Sequence, residues 1–489
     1  MTRLGANHLR HLPDGVRPDY ALASQGIGIL HIGLGAFHRA HQAAYTDAAL
    51  AVQGGDWRIV AVSLRSTATV DALNAQDGLF TLIERGADGD RARVIGSIAD
   101  AVAAARETEA VSARIARPEI RIVSLTVTEK AYGIDRAALD IDPDHPAVAA
   151  DLARPDAPQG VIGLLVDGLR RRRDAGLEPP AILCCDNLPD NGALLRAGVL
   201  GFARHVDPAL ADWIDDNVVF PSSMVDRITP AATEETVQLA HRLTGYEDAA
   251  AIETEPFSQW VIEDRFPLGR PAWEAGGAIF VEDVQPYERM KLRMLNGAHS
   301  LIAYAGFLAG HAFVRDAMAD RALASLVDRH MRAAARTVGA LEGIDLDAYR
   351  QALVVRFANP AIAHQTHQIA MDGTEKLPLR ILAPAQEALA SGDDPAPYAF
   401  AVAAWMRYVL GRDERGDPYD LRDPRSGVLT RAIAGTDGSA AEIVQALNAL
   451  PQLFPAELRN SATFRGQVET RLATLLSDGM RAAIAKEAT

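Results

Sequence analysis

GIGILHIGLGAFHRA, residues 26–40, decides the architecture. An apolar run ends in Gly33-Leu34-Gly35, and an Ala-rich stretch with helical character follows. A buried strand passing through glycines into a helix is a βα unit whose turn lets the backbone approach a phosphate. Outward from it, further apolar runs occur at WRIVAVSL (57–64), IRIVSLTVT (120–128), PAILCCD (180–186) and NVVFPSSMVD (217–226). Helical stretches lie between them, DAVAAARETEAVSARIA (100–116) and GVIGLLVDGLRRRRDAG (160–176) among them. Near-continuous apolar strands alternating with helices predict a parallel sheet covered on both faces. From about residue 286 the strand signals give way to helical periodicity, just after the Gly/Pro-punctuated FPLGRPAWEAGG (266–277). The expectation is an α/β fold: a Rossmann-like doubly wound sheet over 1–285, then a mostly α-helical domain over 286–489 that completes a small-molecule site.

With 49 basic and 64 acidic residues, the 489-residue chain has a formal charge of −15, which argues against nucleic acid or an anionic membrane as partner. The first residues, MTRLGANHLRHLPDG, contain no apolar signal-like core, and no run approaches the roughly 20 apolar residues of a membrane span. Two adjacent cysteines, Cys184 and Cys185, fit a reducing compartment better than a disulfide or zinc site. These features predict a cytoplasmic protein.

In a doubly wound sheet, ligands lie beyond the carboxyl ends of the strands. Those ends read Gly33-Leu34-Gly35-Ala36-Phe37-His38-Arg39, Arg65-Ser66, Thr126 to Lys130, Asp186-Asn187 and Asp226-Arg227. Gly33 and Gly35 suit a pyrophosphate turn. His38 stands where the usual third glycine would be, so a plain βα turn is also compatible. No acidic residue at the second strand end is placed for a ribose 2′-hydroxyl; Arg65 is there instead, and by charge it admits NADP.

The helical part opens on PYERMKLRMLNGAHS (286–300), where Glu288, Lys291, Asn296 and His299 fall within an arc of about 140° at 100° per residue. A lysine beside Asn and His suits acid–base work on an alcohol or carbonyl, with amide donors for the developing oxyanion. The same spacing also fits a Glu288–Lys291 surface pair with His299 in the core. The pairs His38/His41 and His364/His367 lack acidic or cysteine companions at ligand spacing, so no metal is expected.

Seven segments together resemble the polyol-specific long-chain dehydrogenases and reductases, the family of mannitol 2-dehydrogenase and D-fructuronate reductase. They are HIGLGAFHRAHQAAYTD (31–47), RIVSLTVTEKAYG (121–133), CDNLPDNG (185–192), FPSSMVDRITP (220–230), EPFSQWVIEDRFPLGRPAWE (255–274), KLRMLNGAHS (291–300) and DGTEKLP (372–378). The resemblance implies metal-independent hydride transfer to or from NAD(P), with NAD as the first expectation. It implies that Lys291 is the catalytic acid–base, that Asn187 and Asn296 form the oxyanion hole, and that His299 orients the substrate. Glu129, Asp226 and Glu288 match acidic positions lining the site or a proton path, and Lys376 matches a substrate-side lysine. Gly33, Gly35, Phe37, His38, Arg65, Ser66, Glu129, Asn187 and Asp226 are the positions expected at the cofactor.

Within that family, TEK, KLR and QIAMDGTEKLPLR look like the fructuronate reductase versions, with Lys130 and Gln368 where mannitol dehydrogenases carry Gly and Arg. Lys130, Arg293 and Arg380 are cations that the mannitol pattern does not call for, and a hexuronate carboxylate is their natural counter-ion; Arg293 and Arg380 fit surface positions equally. MVDRITP and SLRS resemble the mannitol branch, while Thr67 and Ala68 replace the acidic pair behind its NAD preference. The sequence thus predicts a monomeric oxidoreductase acting on D-fructuronate/D-mannonate, with D-fructose/D-mannitol as the alternative and a non-catalytic dinucleotide sensor as the alternative of another class.

Overall fold

In the computed structural model, which describes residues 2–489, strand Ile27–Ile32 lies at the centre of a five-stranded sheet. All four strand pairs are parallel, and the order across the sheet is Ile98–Ala103, Arg58–Ser63, Ile27–Ile32, Ile122–Leu125, Ala181–Cys184. Side chains alternate between two cores, as a pleated strand requires. Ile29, Ile59, Ala61, Ile122 and Leu183 enter one; Leu30, Val60, Val123 and Ile182 enter the other. Burial on both faces explains why these strands read as continuous apolar runs. The same alternation sends Cys184 and Cys185 to opposite cores as free thiols.

Two expected elements are corrected. Residues 100–103, expected to begin the helical stretch 100–116, belong to the edge strand Ile98–Ala103 next to Arg58–Ser63; the helix occupies only Thr108–Ile115. Ala101 and Ala103 pack into one core and Val102 into the other, so pairing and burial override the helix preference of an Ala-rich segment. The run 217–226 does not supply the next parallel strand. Ile182 donates to the Val219 carbonyl (3.0 Å), then Pro221, which has no N–H, interrupts the ladder. Ser223–Asp226 instead pairs antiparallel with Gln259–Glu263 in a separate three-stranded sheet. A hairpin, Phe80–Gly86 with Gly89–Ile95, adds a further sheet that the sequence reading did not place.

A packed aromatic group fixes helix Gln42–Gln53, which follows the glycine turn. Trp273 is fully buried, 4.6 Å from Trp260, and its indole N–H donates to Thr46 Oγ1 (3.0 Å). Trp260 also meets His41 and Tyr45 edge-on, which gives this tryptophan a packing role. Trp273→Ala is expected to cost about 3–5 kcal/mol. The measurement is a urea midpoint at unchanged m; a shift equivalent to under about 1 kcal/mol would mean the group does not anchor this helix.

The chain divides into two compact units, Met1–Gln285 and Pro286–Thr489. The second is helical. Helix Arg321–Val338 starts where Asp320 accepts from the N–H groups of Ala322 and Leu323, and it stops at Gly339 in a positive-φ conformation. Helix Ala396–Tyr408 is buried along nearly its whole length. The segment that carried the Lys291 constellation is helical from Gln285 to Leu308, winding as a π-helix over Lys291–Asn296. A second π segment, Pro378–Leu382, lies beside it, so close that a Cβ on Gly297 would come within 2.9 Å of the Arg380 carbonyl oxygen. Among the described residues, no helix is long and apolar enough to cross a membrane.

Candidate active site

The N-terminal unit holds a cavity of about 680 Å³ at the carboxyl ends of the parallel strands. Gly33, Gly35, Arg65, Ser66, Thr126 and Lys130 are on its wall. Gly33 adopts φ +115°, and a Cβ there would stand 2.1 Å from the Thr126 carbonyl oxygen, so only glycine permits this turn. Gly35 is different: its added Cβ would meet nothing nearer than 3.8 Å. Helix Ala36–Ala40 begins directly after it, and its first N–H groups have no intrahelical acceptor.

The turn is held from beneath. His31 is wholly buried; its Nδ1 lies 2.9 Å from Ser124 Oγ, and its Nε2 lies 2.8 Å from Thr126 Oγ1 and 3.2 Å from the Gly33 carbonyl. Burial pushes the His31 pKa down to about 3, so this ring is neutral at physiological pH. His38, expected at the cofactor, is not among the residues on the cavity wall. Its side chain is fully buried and stacked on His31 at 3.5 Å, so it supports the turn from the protein side. Phe37 stacks on His41 at 5.0 Å and is not on the cavity wall. Arg39 donates to the carbonyls of Gly35 and Ala250, which ties helix Ala36–Ala40 to the rest of the unit.

No carboxylate lines this cavity, and Arg65 and Lys130 are its cations. A glycine turn, a helix start and cationic walls without acidic groups fit a dinucleotide pyrophosphate. Lys130, expected at a substrate carboxylate, is placed on this wall together with Gly33 and Arg65. Glu129 pairs with Arg136 (2.9 Å) on an exposed 3-10 turn. Asn187 follows the fourth predicted strand end. Beside it, burial pushes the Asp186 carboxyl up to about 7, against the Tyr132 hydroxyl (2.6 Å) and the Val127 N–H (2.9 Å), which favour its ionised form. Asp226 is buried at the end of its strand.

In the C-terminal unit, Lys291, Asn296 and His299 are all buried, and Glu288 is half-buried. In an α-helix, residues five apart point about 140° away from each other. The wider π winding brings Lys291 and Asn296 toward one face. Asn296 Nδ2 and His299 Nε2 are buried and have no hydrogen-bond partner among the described residues. Burying polar nitrogens unpaired is costly, so their placement makes sense as groups kept for a ligand. Burial drives His299 well below the usual imidazole range, and the neighbouring His364, Arg356, Arg380 and Lys291 push it the same way. His364 stands edge-on to His299 at 5.4 Å, and Lys376, which donates to the Met371 carbonyl (2.6 Å), lies within electrostatic reach of His364. Arg380 reaches Ser300 Oγ at 3.4 Å.

Arg293 does not join this group. It is spent on Glu387 (2.5 and 2.6 Å) and the Thr337 carbonyl (2.7 Å), which assigns it to the packing of the unit. Arg356 was not singled out from the sequence. It stands in VVRFANP without motif spacing, and only the tertiary fold brings its charge to His299. Among the described residues, no group of three or more His, Cys, Asp or Glu is arranged to hold a metal ion.

Comparison with known proteins agrees with this division. Residues 27–275 match the mannitol dehydrogenase Rossmann domain, and residues 283–476 match the mannitol dehydrogenase C-terminal domain. The chain is 43% identical to an uncharacterised oxidoreductase of Escherichia coli K12, over 93% of each protein. It is 42% identical to D-mannonate oxidoreductase of the same organism, over 96% of this chain and 97% of the relative. Among solved structures, mannitol 2-dehydrogenase of Pseudomonas fluorescens in a ternary complex with NAD and D-mannitol is 40% identical, covers 99% of both chains and superposes with a TM-score of 0.84. The chain therefore belongs to the mannitol dehydrogenase family and is an oxidoreductase with that family's NAD(P)-binding Rossmann domain and helical C-terminal domain.

Proposed function

We propose that the enzyme interconverts a keto group and a secondary alcohol on an open-chain six-carbon sugar acid, D-fructuronate and D-mannonate being the first pair to test. The observation that carries this reading is the positive charge gathered around a buried imidazole: Lys291, Arg356 and Arg380 all act on His299. A carboxylate on the substrate is attracted by these cations, and a neutral hexitol offers them no such charge. The 42% identity to D-mannonate oxidoreductase supports the same reading. The mannitol/fructose alternative rests on the likeness to mannitol 2-dehydrogenase. Catalytic relatives at this identity remove the ground for a non-catalytic sensor.

The bound nicotinamide supplies or accepts the hydride. Lys291 gives a proton to the substrate oxygen in reduction and takes it back in oxidation. The amides of Asn187 and Asn296 stabilise the oxygen's transient negative charge, and His299 orients the substrate. Gly33, Gly35, Arg65 and Ser66 hold the dinucleotide, and with no carboxylate on that wall NADPH is accepted beside NADH.

The test is kcat/KM for D-fructuronate and D-fructose, each with NADH and NADPH. Fructuronate is expected to be preferred by more than tenfold. Arg380→Ala and Arg356→Ala should each cost fructuronate about 10–100-fold while changing fructose much less, the range expected for one charge-assisted hydrogen bond. Preference for fructose, retained in both variants, would return the enzyme to the mannitol branch.

A further inference from the structure

The N-terminal unit contains a second cavity, of about 760 Å³, which shares no lining residue with the dinucleotide cavity. Its wall includes Arg91, Arg93 and Arg227, together with Glu84, Tyr45 and Ser258. Arg91 and Arg93 are two apart on strand Gly89–Ile95, so both side chains leave the same face. That strand is the edge of its three-stranded sheet.

The acidic groups at this wall are already engaged. Glu84 accepts from Arg227 at 2.7 Å, and Asp14, at the rim, accepts from Arg17 at 2.6 Å. Arg227 is fixed further by the carbonyls of Ala40 (2.5 Å) and Glu255 (3.1 and 3.2 Å). By contrast, the guanidinium groups of Arg91 and Arg93 make no ion pair or hydrogen bond among the described residues, although the chain carries a formal charge of −15. Arg93 is close enough to act electrostatically on Asp47 and on Arg227. A neutral donor is also present: Tyr45 accepts a hydrogen bond from Ser258 Oγ at 3.0 Å, which leaves its own O–H to give.

Two guanidinium groups on one strand face, neither held in an ion pair or hydrogen bond among the described residues, over a concavity of small-molecule size, are the recognition chemistry of a compact dianion. We propose that this cavity is a second ligand site that binds a small dianion, a phosphate ester or a dicarboxylate, with Arg91 and Arg93 taking the charged group and the Tyr45 hydroxyl a further oxygen. The site is separate from the one that performs hydride transfer and does not depend on which sugar is the substrate. Its wall is nevertheless joined to that machinery, because Arg227 follows Asp226 directly and holds the carbonyl at the end of helix Ala36–Ala40.

The test is calorimetric titration of the NADH-saturated enzyme with inorganic phosphate and, separately, with malonate, for wild type and an Arg91→Gln/Arg93→Gln variant. Saturation with NADH keeps either anion from reporting on the glycine turn. At least one of the two should bind the wild type, and its Kd should rise at least tenfold in the variant. Phosphate alone would identify the ester class, and malonate alone the dicarboxylate class. NADH affinity, kcat and the thermal midpoint should be unchanged, since Arg91 is exposed and Arg93 only half-buried. No binding of either anion to the NADH-saturated enzyme, or equal binding by the variant, would each overturn the proposal.

Discussion

Lys291→Ala is expected to lower kcat by about 10²–10⁴-fold, the usual worth of a positioned acid–base group, while the Kd for NADH stays within about twofold of wild type. The two halves of this expectation come from different parts of the molecule. The glycine turn proposed to hold the nucleotide belongs to the N-terminal unit, whereas Lys291 opens the π segment of the C-terminal unit. Single-turnover kinetics separate the chemical step from release, and fluorescence titration gives the NADH affinity. If the slow step is proton transfer to the substrate oxygen, the loss appears in kcat and kcat/KM together. A variant with near-normal turnover would remove Lys291 from the mechanism and leave the fold and cofactor assignments intact.

Gly33→Ala should weaken NADH binding by about 100-fold, equivalent to roughly 2.7 kcal/mol, and should also lower the thermal midpoint. Both effects share a cause, since the new methyl would lie 2.1 Å from the Thr126 carbonyl oxygen at a φ of +115°. Gly35→Ala separates the two. Its φ of −102° suits alanine and its Cβ meets only the Gly33 oxygen at 3.8 Å, so stability should hold. Gly35 is nevertheless on the cavity wall, where a methyl takes space from the ligand, so NADH affinity should still fall. Normal NADH binding by Gly35→Ala would make this a plain βα turn and move the nucleotide elsewhere.

The parts of the fold that were legible in the sequence are those where one signal dominates. Ile27–Ile32 combines a continuous apolar run with a glycine turn, and burial on both faces demands that pattern. Ile98–Ala103 was hidden because its strand character comes from pairing with Arg58–Ser63 and not from its alanines. Ser223–Asp226 was visible as a strand, but its change of sheet depends on where Pro221 breaks the ladder. At the site, residue types were readable and orientations were not. His38 reads as a cofactor residue by its place after the glycines, and its stacking on His31 is a contact that no sequence spacing records. Arg293 and Arg380 carry the same charge, but only Arg293 is committed to Glu387. Arg356 left no local trace, since nothing in its neighbours records that the fold brings its charge within electrostatic reach of His299.

The π winding at Lys291–Asn296 also bears on how such a site can change. A π segment is what a one-residue insertion leaves in an α-helix when the flanking turns keep their packing. Were the same six residues wound as α-helix, everything upstream, Glu288 and Tyr287 included, would turn by about 100° relative to the buried run Gly297–Leu308. An insertion absorbed as π winding therefore changes which side chains this segment presents while the packed turns on either side keep their places.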